Sequence, residues 1–268
     1  VARESAALWR LESGLTWSSN PLARTGADEI SFTTPDGPIA LPLVNKPRQG
    51  AVAGLALSRS QADRGGEVLL QAVDVAGSQP AARLALWGPL PTALGGPPLQ
   101  WSLVSQQGFD GARRHTVGLT WSGQAVRGSL YRYAEPELAD RGHLLRLEAQ
   151  PPALMGVQGV ALLERAASSV KPQGTWKAGL TAQASAPGRI RLQLQWTGQR
   201  DTYGYSPLLA QGAPRWLSST QAVAEKTLSL DSGKTLTFRA LTTQRRSNIE
   251  LFAFRETALQ LQLAKMWR

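Results

Sequence analysis

The stretch Arg189-Ile190-Arg191-Leu192-Gln193-Leu194-Gln195-Trp196 decides how this chain is read. Ile190, Leu192, Leu194 and Trp196 occupy alternate positions, with Arg189, Arg191, Gln193 and Gln195 between them. Successive side chains of a strand point to opposite faces, so the segment predicts a β-strand with one core face and one wet face. Leu259-Gln260-Leu261-Gln262-Leu263 repeats the pattern. Thr235 to Leu241 and Ile249 to Phe254 supply two further strands, the first preceded by the turn Asp231-Ser232-Gly233-Lys234. An antiparallel sheet with one solvated face follows.

Toward the N-terminus the runs are shorter. With 26 Gly and 17 Pro breaking the apolar segments, strands joined by turns are favoured over long helices. Candidate strands are Glu29 to Thr33, Val52 to Ser58, Val68 to Val73, Arg83 to Trp87, Leu99 to Val104, His115 to Trp121, Ser129 to Tyr133, Leu144 to Glu148 and Val157 to Leu163. Thr34-Pro35-Asp36-Gly37 is the clearest turn, because Pro presets φ and Gly accepts a positive one. The chain opens differently. Ala7, Leu8, Leu11 and Leu15 follow the spacing of one helix face, which predicts a short N-terminal helix. The expected fold is mainly β (α+β), a short N-terminal helix followed by antiparallel sheets. The polar, breaker-rich run from Glu164 to Thr175 is either a linker or an exposed loop of one sheet. Residues 1–164 then form a neutral helix-plus-sheet domain, and 165–268 a basic antiparallel β domain or an extension of the same sheet.

Charge follows that division. Val1 to Glu164 carries 14 Lys+Arg against 14 Asp+Glu, whereas Arg165 to Arg268 carries 15 against 5 and so holds the whole net charge of +10. A surplus so segregated points to an anionic partner. Without cysteine the chain can build neither a disulfide framework nor a thiolate metal site, and it fits an exported protein. No stretch approaches the roughly 18 to 20 unbroken apolar residues of a helical membrane span, which predicts a soluble protein.

Catalytic chemistry is sparse. There is no nucleophile elbow, phosphate loop, dinucleotide fingerprint or zinc-binding helix motif. His115 and His143 read as solvated residues, and Asp36, Glu135, Glu137 and Asp140 as turn and loop carboxylates. The expectation is a non-enzyme with no cofactor and no metal. Binding features are better supplied. Arginine, whose planar fork suits phosphate and carboxylate, outnumbers lysine in the second half, giving Arg189, Arg191, Arg200, Arg239, Arg245 and Arg246 as a polyanion-binding set. Arg189 and Arg191 are expected on one wet face. The nine tryptophans fall mostly at strand positions, where core packing is the ordinary role. Tyr203 and Tyr205, in the loop Thr197 to Pro207, with Trp216 supply an aromatic platform for sugar rings or bases.

Across residues 1–196, a helical start at Arg3 to Leu15 precedes Ala27-Asp28-Glu29-Ile30-Ser31-Phe32-Thr33-Thr34-Pro35-Asp36-Gly37 and Gly128-Ser129-Leu130-Tyr131-Arg132-Tyr133. Leu154-Met155-Gly156-Val157-Gln158-Gly159-Val160-Ala161-Leu162, Gly174-Thr175-Trp176 and Ala186-Pro187-Gly188-Arg189-Ile190-Arg191-Leu192-Gln193-Leu194 complete the series. This order resembles the minor pilins and the J- or W-type minor pseudopilins of type IV pilus and type II secretion machines. The resemblance implies a helix packed on an antiparallel sheet, no enzyme activity, and assembly with other pilin or fibre subunits. It also implies a cell-envelope or extracellular location, with membrane contact only through an N-terminal anchor that this chain lacks. A DNA-uptake role, as in natural transformation, would give the basic C-terminal part a partner in DNA or an anionic polysaccharide. The alternatives are a β-sandwich adhesion or carbohydrate-binding module, secreted or from a phage tail, and a secreted hydrolase.

Overall fold

A computed structural model of the protein describes residues 6–35, 37–44, 46–61, 64–75, 78–90, 98–169, 174–230 and 232–268. Asp36, Asp231 and residues 170–173 of the expected linker lie outside the described residues. The strands are β1 (Leu8–Ser18), β2 (Glu29–Thr34), β3 (Gly37–Pro42), β4 (Gly50–Gln61), β5 (Arg64–Val73), β6 (Ala81–Leu90), β7 (Leu99–Gln107) and β8 (Arg113–Ser122). They continue as β9 (Val126–Glu135), β10 (Asp140–Ala149), β11 (Val157–Ser168), β12 (Thr175–Ala186), β13 (Ile190–Ser206), β14 (Leu209–Ser229), β15 (Lys234–Ser247) and β16 (Phe254–Trp267).

All of these except β2 and β3 join one closed barrel of fourteen strands. Each strand pairs antiparallel with its sequence neighbour, and β1 closes the ring by pairing with both β4 and β16. The chain therefore runs up and down around one cylinder. At the lower rim β1 begins and β16 finishes. The upper rim carries the connection 19–49, which contains the β2–β3 hairpin.

The alternation of β13 holds, but its faces are inverted. Leu192, Leu194 and Trp196 are 44%, 54% and 42% exposed, while Gln193 and Gln195 are half-buried. In a closed barrel alternate residues face outside and inside, so the apolar set lies on the exterior and the polar set lines the lumen. Registers carry this pattern around the ring: Leu180 stands opposite Trp196, Ala182 opposite Leu194 and Ala184 opposite Leu192, all outward. Only eight apolar side chains are buried among the described residues, against more than forty large ones that are exposed. The expected core face is thus an outer surface.

The predicted N-terminal helix is a strand. Leu11 and Leu15 are four residues apart, a spacing that period 2 satisfies as well as a helix does, and Trp9 and Trp17 complete the same outward face. Closure needs hydrogen bonds along both edges of this segment, which a strand supplies and a helix cannot. Ile249 to Ala253, within a stretch expected as a strand up to Phe254, is instead part of the β15–β16 connection, with a 3-10 turn at Glu250–Phe252 and a buried Ile249, and only Phe254 belongs to a strand. Among the described residues there is no α-helix, so the α+β class with separate sheets is replaced by the closed barrel. Position 164/165 falls inside β11, which pairs with β10 and β12 over its length.

β13 and β14 are the longest strands, and their hairpin projects above the upper rim. A break in register between Arg200 and Gly204 lets the two chains cross closely. A Cβ on Gly204 would stand 2.1 Å from the Gly212 carbonyl oxygen, so only glycine fits there.

The chain has no cysteine of its own, which gives a clean test of the closing seam. Ser13 and Leu263 are Cα partners with side chains on one face. The Ser13→Cys/Leu263→Cys double variant is expected to form an intramolecular disulfide, seen as a mobility shift lost on reduction. Ser13→Cys/Gln262→Cys, which sets the second thiol on the opposite face, is expected not to.

Candidate functional site

The barrel wall concentrates its chemistry on the inside. All the carboxylates of the barrel strands face the lumen: Glu12, Glu67, Glu135, Asp140, Glu148, Glu164, Asp201, Glu225 and Glu256. They meet inward cations across the ladder. Glu164 stands opposite Arg146 on one side and Lys177 on the other, and Glu225 opposite Arg191 and Arg239. Arg83 reaches Glu67 at 3.4 Å, Arg114 reaches Glu135 at 3.3 Å, and Arg10 and Arg146 pair with Glu12 and Glu148 two residues away. Uncharged groups complete the lining, with Thr120 and Ser129 hydroxyls 3.0 Å apart and Gln221 Nε2 donating to Thr243 Oγ1 at 3.1 Å. Partnering of this kind keeps a polar wall satisfied while leaving side chains accessible to water.

Two inward clusters are buried. Asp140, 3% exposed, accepts from Ser168 Oγ at 2.7 Å, Ser169 Oγ at 3.2 Å and Tyr133 OH at 3.4 Å. Asp201, also 3% exposed, accepts from Arg215 Nη2 at 3.2 Å, and Arg215 Nε stands 3.1 Å from its second oxygen without an aligned N–H. Arg215 is fixed on its other side by the rings of Tyr205 and Phe252, at 4.7 and 4.4 Å. The sequence reading missed this pair. The signal was available in the alternation of β13, where Asp201 continues the parity of Gln193 and Gln195.

The residues expected to bind a polyanion do not form one surface. Arg191, Arg239 and Arg245 face the lumen. Arg191 donates to Gln183 Oε1 at 2.5 Å and lies 3.9 Å from Glu225, Arg239 keeps a buried Nε without a partner, and Arg245 lies 4.7 Å over the Phe254 ring. Arg189 occupies the β12–β13 turn at φ 59°, away from the strand face that it was expected to share with Arg191. Arg200 and Arg246 face outward near the upper rim. The aromatic set is divided as well. Tyr205 packs edge-on against Phe252 at 5.0 Å, Trp216 faces the exterior, and Tyr203 lies in the register break. His115 and His143 are outward, and the carboxylates expected at the surface split between a loop position, Glu137, and the lumen, Glu135 and Asp140.

The exterior has its own order. Cations stand beyond both ends of the apolar belt, Arg59, Lys226, Lys234 and Lys265 near the lower rim and Arg141, Arg165, Arg200, Arg246 and Arg255 near the upper. Seven of the nine tryptophans gather toward the two ends of that belt, outward-facing: Trp9, Trp101, Trp121 and Trp267 below, Trp17, Trp176 and Trp216 above. Trp9 and Trp267 stack across the closing seam at 6.5 Å.

Above the upper rim, the first half of the connection 19–49 is tied to its surroundings, and its far end is tied back to the first half. Ser19 exchanges hydrogen bonds with Thr257, Asn20 Nδ2 donates to the Arg255 carbonyl, Thr25 Oγ1 to that of Glu250, and Thr33 N–H to that of Leu208 at the tip of the β13–β14 hairpin. Lys46 Nζ donates to Asp28 Oδ1 at 2.5 Å and to the Ala27 carbonyl at 2.7 Å. The hydrogen bond from Lys46, reinforced by its charge, holds the Asp28 carboxyl below 3.8.

No protein-family model and no curated protein matches the chain. Solved structures do. The outer membrane protein Omp33 of Acinetobacter baumannii aligns with a TM-score of 0.50 at 7% identity, covering 97% of this chain and 99% of that one. A bacterial polysaccharide outer membrane secretin gives 0.49 at 10% identity over 99% of each chain, and OccK1 (OpdK) of Pseudomonas aeruginosa 0.48 at 10% over 97% and 99%. At 7% identity the likeness to Omp33 speaks for the barrel fold alone. The resemblance to minor pilins and minor pseudopilins is overturned, since the pieces that carried it across residues 1–196 are barrel strands and their connections. The pilin and fibre-subunit partners, the DNA-uptake role and the soluble adhesion module fall with it. At the coarse level of the cell envelope the expected location agrees with a closed barrel of apolar exterior, and the extracellular alternative finds no support.

Two expectations follow. Arg215→Met strands the buried Asp201 and is expected to cost about 3–5 kcal/mol in urea unfolding, whereas the Asp201→Asn/Arg215→Met double variant costs less than that single change. Because the Asp28 carboxyl is lowered on folding, its tie to Lys46 is complete above the unfolded value and is lost as pH falls through the lower folded one. Lys46→Ala is therefore expected to let the Asp28 carboxyl rise back toward its ordinary value, read as a shifted side-chain titration by NMR.

Proposed function

We propose that this protein spans a bacterial outer membrane as a non-enzymatic β-barrel channel for small polar solutes. The observation that carries the reading is the inverted polarity of the barrel: apolar side chains such as Leu194 and Leu261 outside, charged and amide side chains inside, on a sheet with no free edge. In hydrocarbon an unpaired backbone group costs several kcal/mol, and a closed barrel leaves none along its strands. The expectation of a soluble chain took the absence of long apolar helices as its sign, and strands cross with half their residues apolar.

Dimensions support the reading. On β16 the outward residues between Arg255 and Lys265 are Thr257, Leu259, Leu261 and Leu263. Ten steps of about 3.3 Å, tilted by roughly 40°, span about 25 Å, the height of the apolar band of such barrels. Indole rings toward both ends of that band suit the headgroup level. Fourteen strands lie nearer to the porins, whose lumen holds water, than to eight-stranded barrels filled by side chains. The upper rim, with the long connection 19–49, would face outward and the lower rim, where β1 begins and β16 finishes, the periplasm.

Purified protein added to a planar bilayer is expected to produce discrete conductance steps, and none above background would sink the channel. Placement is tested separately by refolding into vesicles. Leu194→Arg, at mid-height on the exterior, is expected to lose about 2–4 kcal/mol, while Gln195→Arg, one residue along in the lumen, changes little.

A further inference from the structure

At the upper rim, between the connection 19–49 and the β15–β16 hairpin, an open cavity of about 630 Å³ is lined by Arg246, Arg255, Gln244, Thr25, Pro47 and Glu250, among others. Gln244 stands directly opposite Arg255, which makes Arg246 and Arg255 diagonal neighbours on the outward face, about 7–8 Å apart. Neither guanidinium has an ion pair among the described residues, in contrast to Arg83, Arg114 and Arg215 of the lumen. Just below them the face turns apolar, with Thr242 beside Thr257 and then Ala240 beside Leu259.

We infer that this cavity holds the phosphate headgroup of a lipid in the leaflet that surrounds the upper rim. Two outward arginines at diagonal positions of adjacent strands can both reach one phosphate through their long side chains, and Arg retains its charge next to hydrocarbon. Thr257 and Leu259 follow Arg255 on the same outward face, beside Thr242 and Ala240, so acyl chains attached to that phosphate would run down this face of the wall. A free phosphate would use only the upper half of such a site. Among the described residues the barrel strands place no carboxylate on the exterior to repel it, and Glu250 is the one acidic group on the cavity lining. The inference rests on the membrane placement proposed above and is independent of conduction.

The test uses the full chain in neutral detergent, titrated with phosphatidic acid or phosphatidylcholine and read by native mass spectrometry. Phosphatidic acid is expected to be retained at least about tenfold more tightly than phosphatidylcholine, and the Arg246→Ala/Arg255→Ala variant to lose about tenfold or more of that binding, each surface cation contributing about 1 kcal/mol. Lys226→Ala/Lys265→Ala, at the lower rim, is expected to keep it. An equal loss from the lower-rim variant, no preference for phosphatidic acid, or full displacement by equimolar inorganic phosphate would each overturn the proposal. Arg255→Gln alone gives the same reading should the double variant fail to fold. Conductance measured on Arg246→Ala/Arg255→Ala separates the two ideas: steps retained with lipid lost leaves the channel intact, whereas lipid retained with no steps in any variant removes only conduction.

Discussion

The pairing of β1 with β16, ten Cα partners from Trp9 opposite Trp267 to Ser18 opposite Ala258, is the constraint on which the other features depend. Without it the sheet has two edges, each a row of unpaired N–H and C=O groups, and an exterior of Leu, Val and Trp would aggregate in water or fail in lipid. With it, the backbone is satisfied by the wall itself. Side chains are then free of the usual duty to form a core. That is why so few apolar groups are buried and why the interior can be spent on Arg, Glu, Gln, Ser and Thr.

The lumen then has a problem of its own, since it crowds charges into a space with less water than bulk solvent. Register solves it by setting opposite charges on neighbouring strands, as with Glu164 between Arg146 and Lys177. Where burial is deepest, at Asp201 and Asp140, one charge is held by a guanidinium and the other by three hydroxyls. Each carboxylate is thus tied to the wall beside it.

Much of the strand pattern was legible in the residues, and the medium on either side was not. Alternation in Ile190 to Trp196 says that two faces differ. It is silent on whether the apolar face meets a protein core or lipid, because both remove it from water. The tryptophans carried the missing cue, falling near strand ends, where an indole suits an interface. β12 escaped the sequence reading because its outward positions are mostly alanine, and β14 because Pro214 and a run of Ser, Thr and Gln hide its parity. Of the candidate site, alternation set Arg191 on the polar face of β13 without telling that this face lines a lumen, while Tyr203 and Tyr205 lie past a register break that no periodicity foretells.

Keeping the strand carboxylates on the inside also divides the molecule by sign of charge. Among the described residues the outer wall of the barrel strands carries guanidinium, ammonium and imidazole groups and no carboxylate. Nothing negative on the strands offsets the cations at the two ends of the apolar belt. Inside, where carboxylates and cations alternate from strand to strand, the sign of the local field changes within one rung, so the cylinder presents a single sign outward and a mixed one inward.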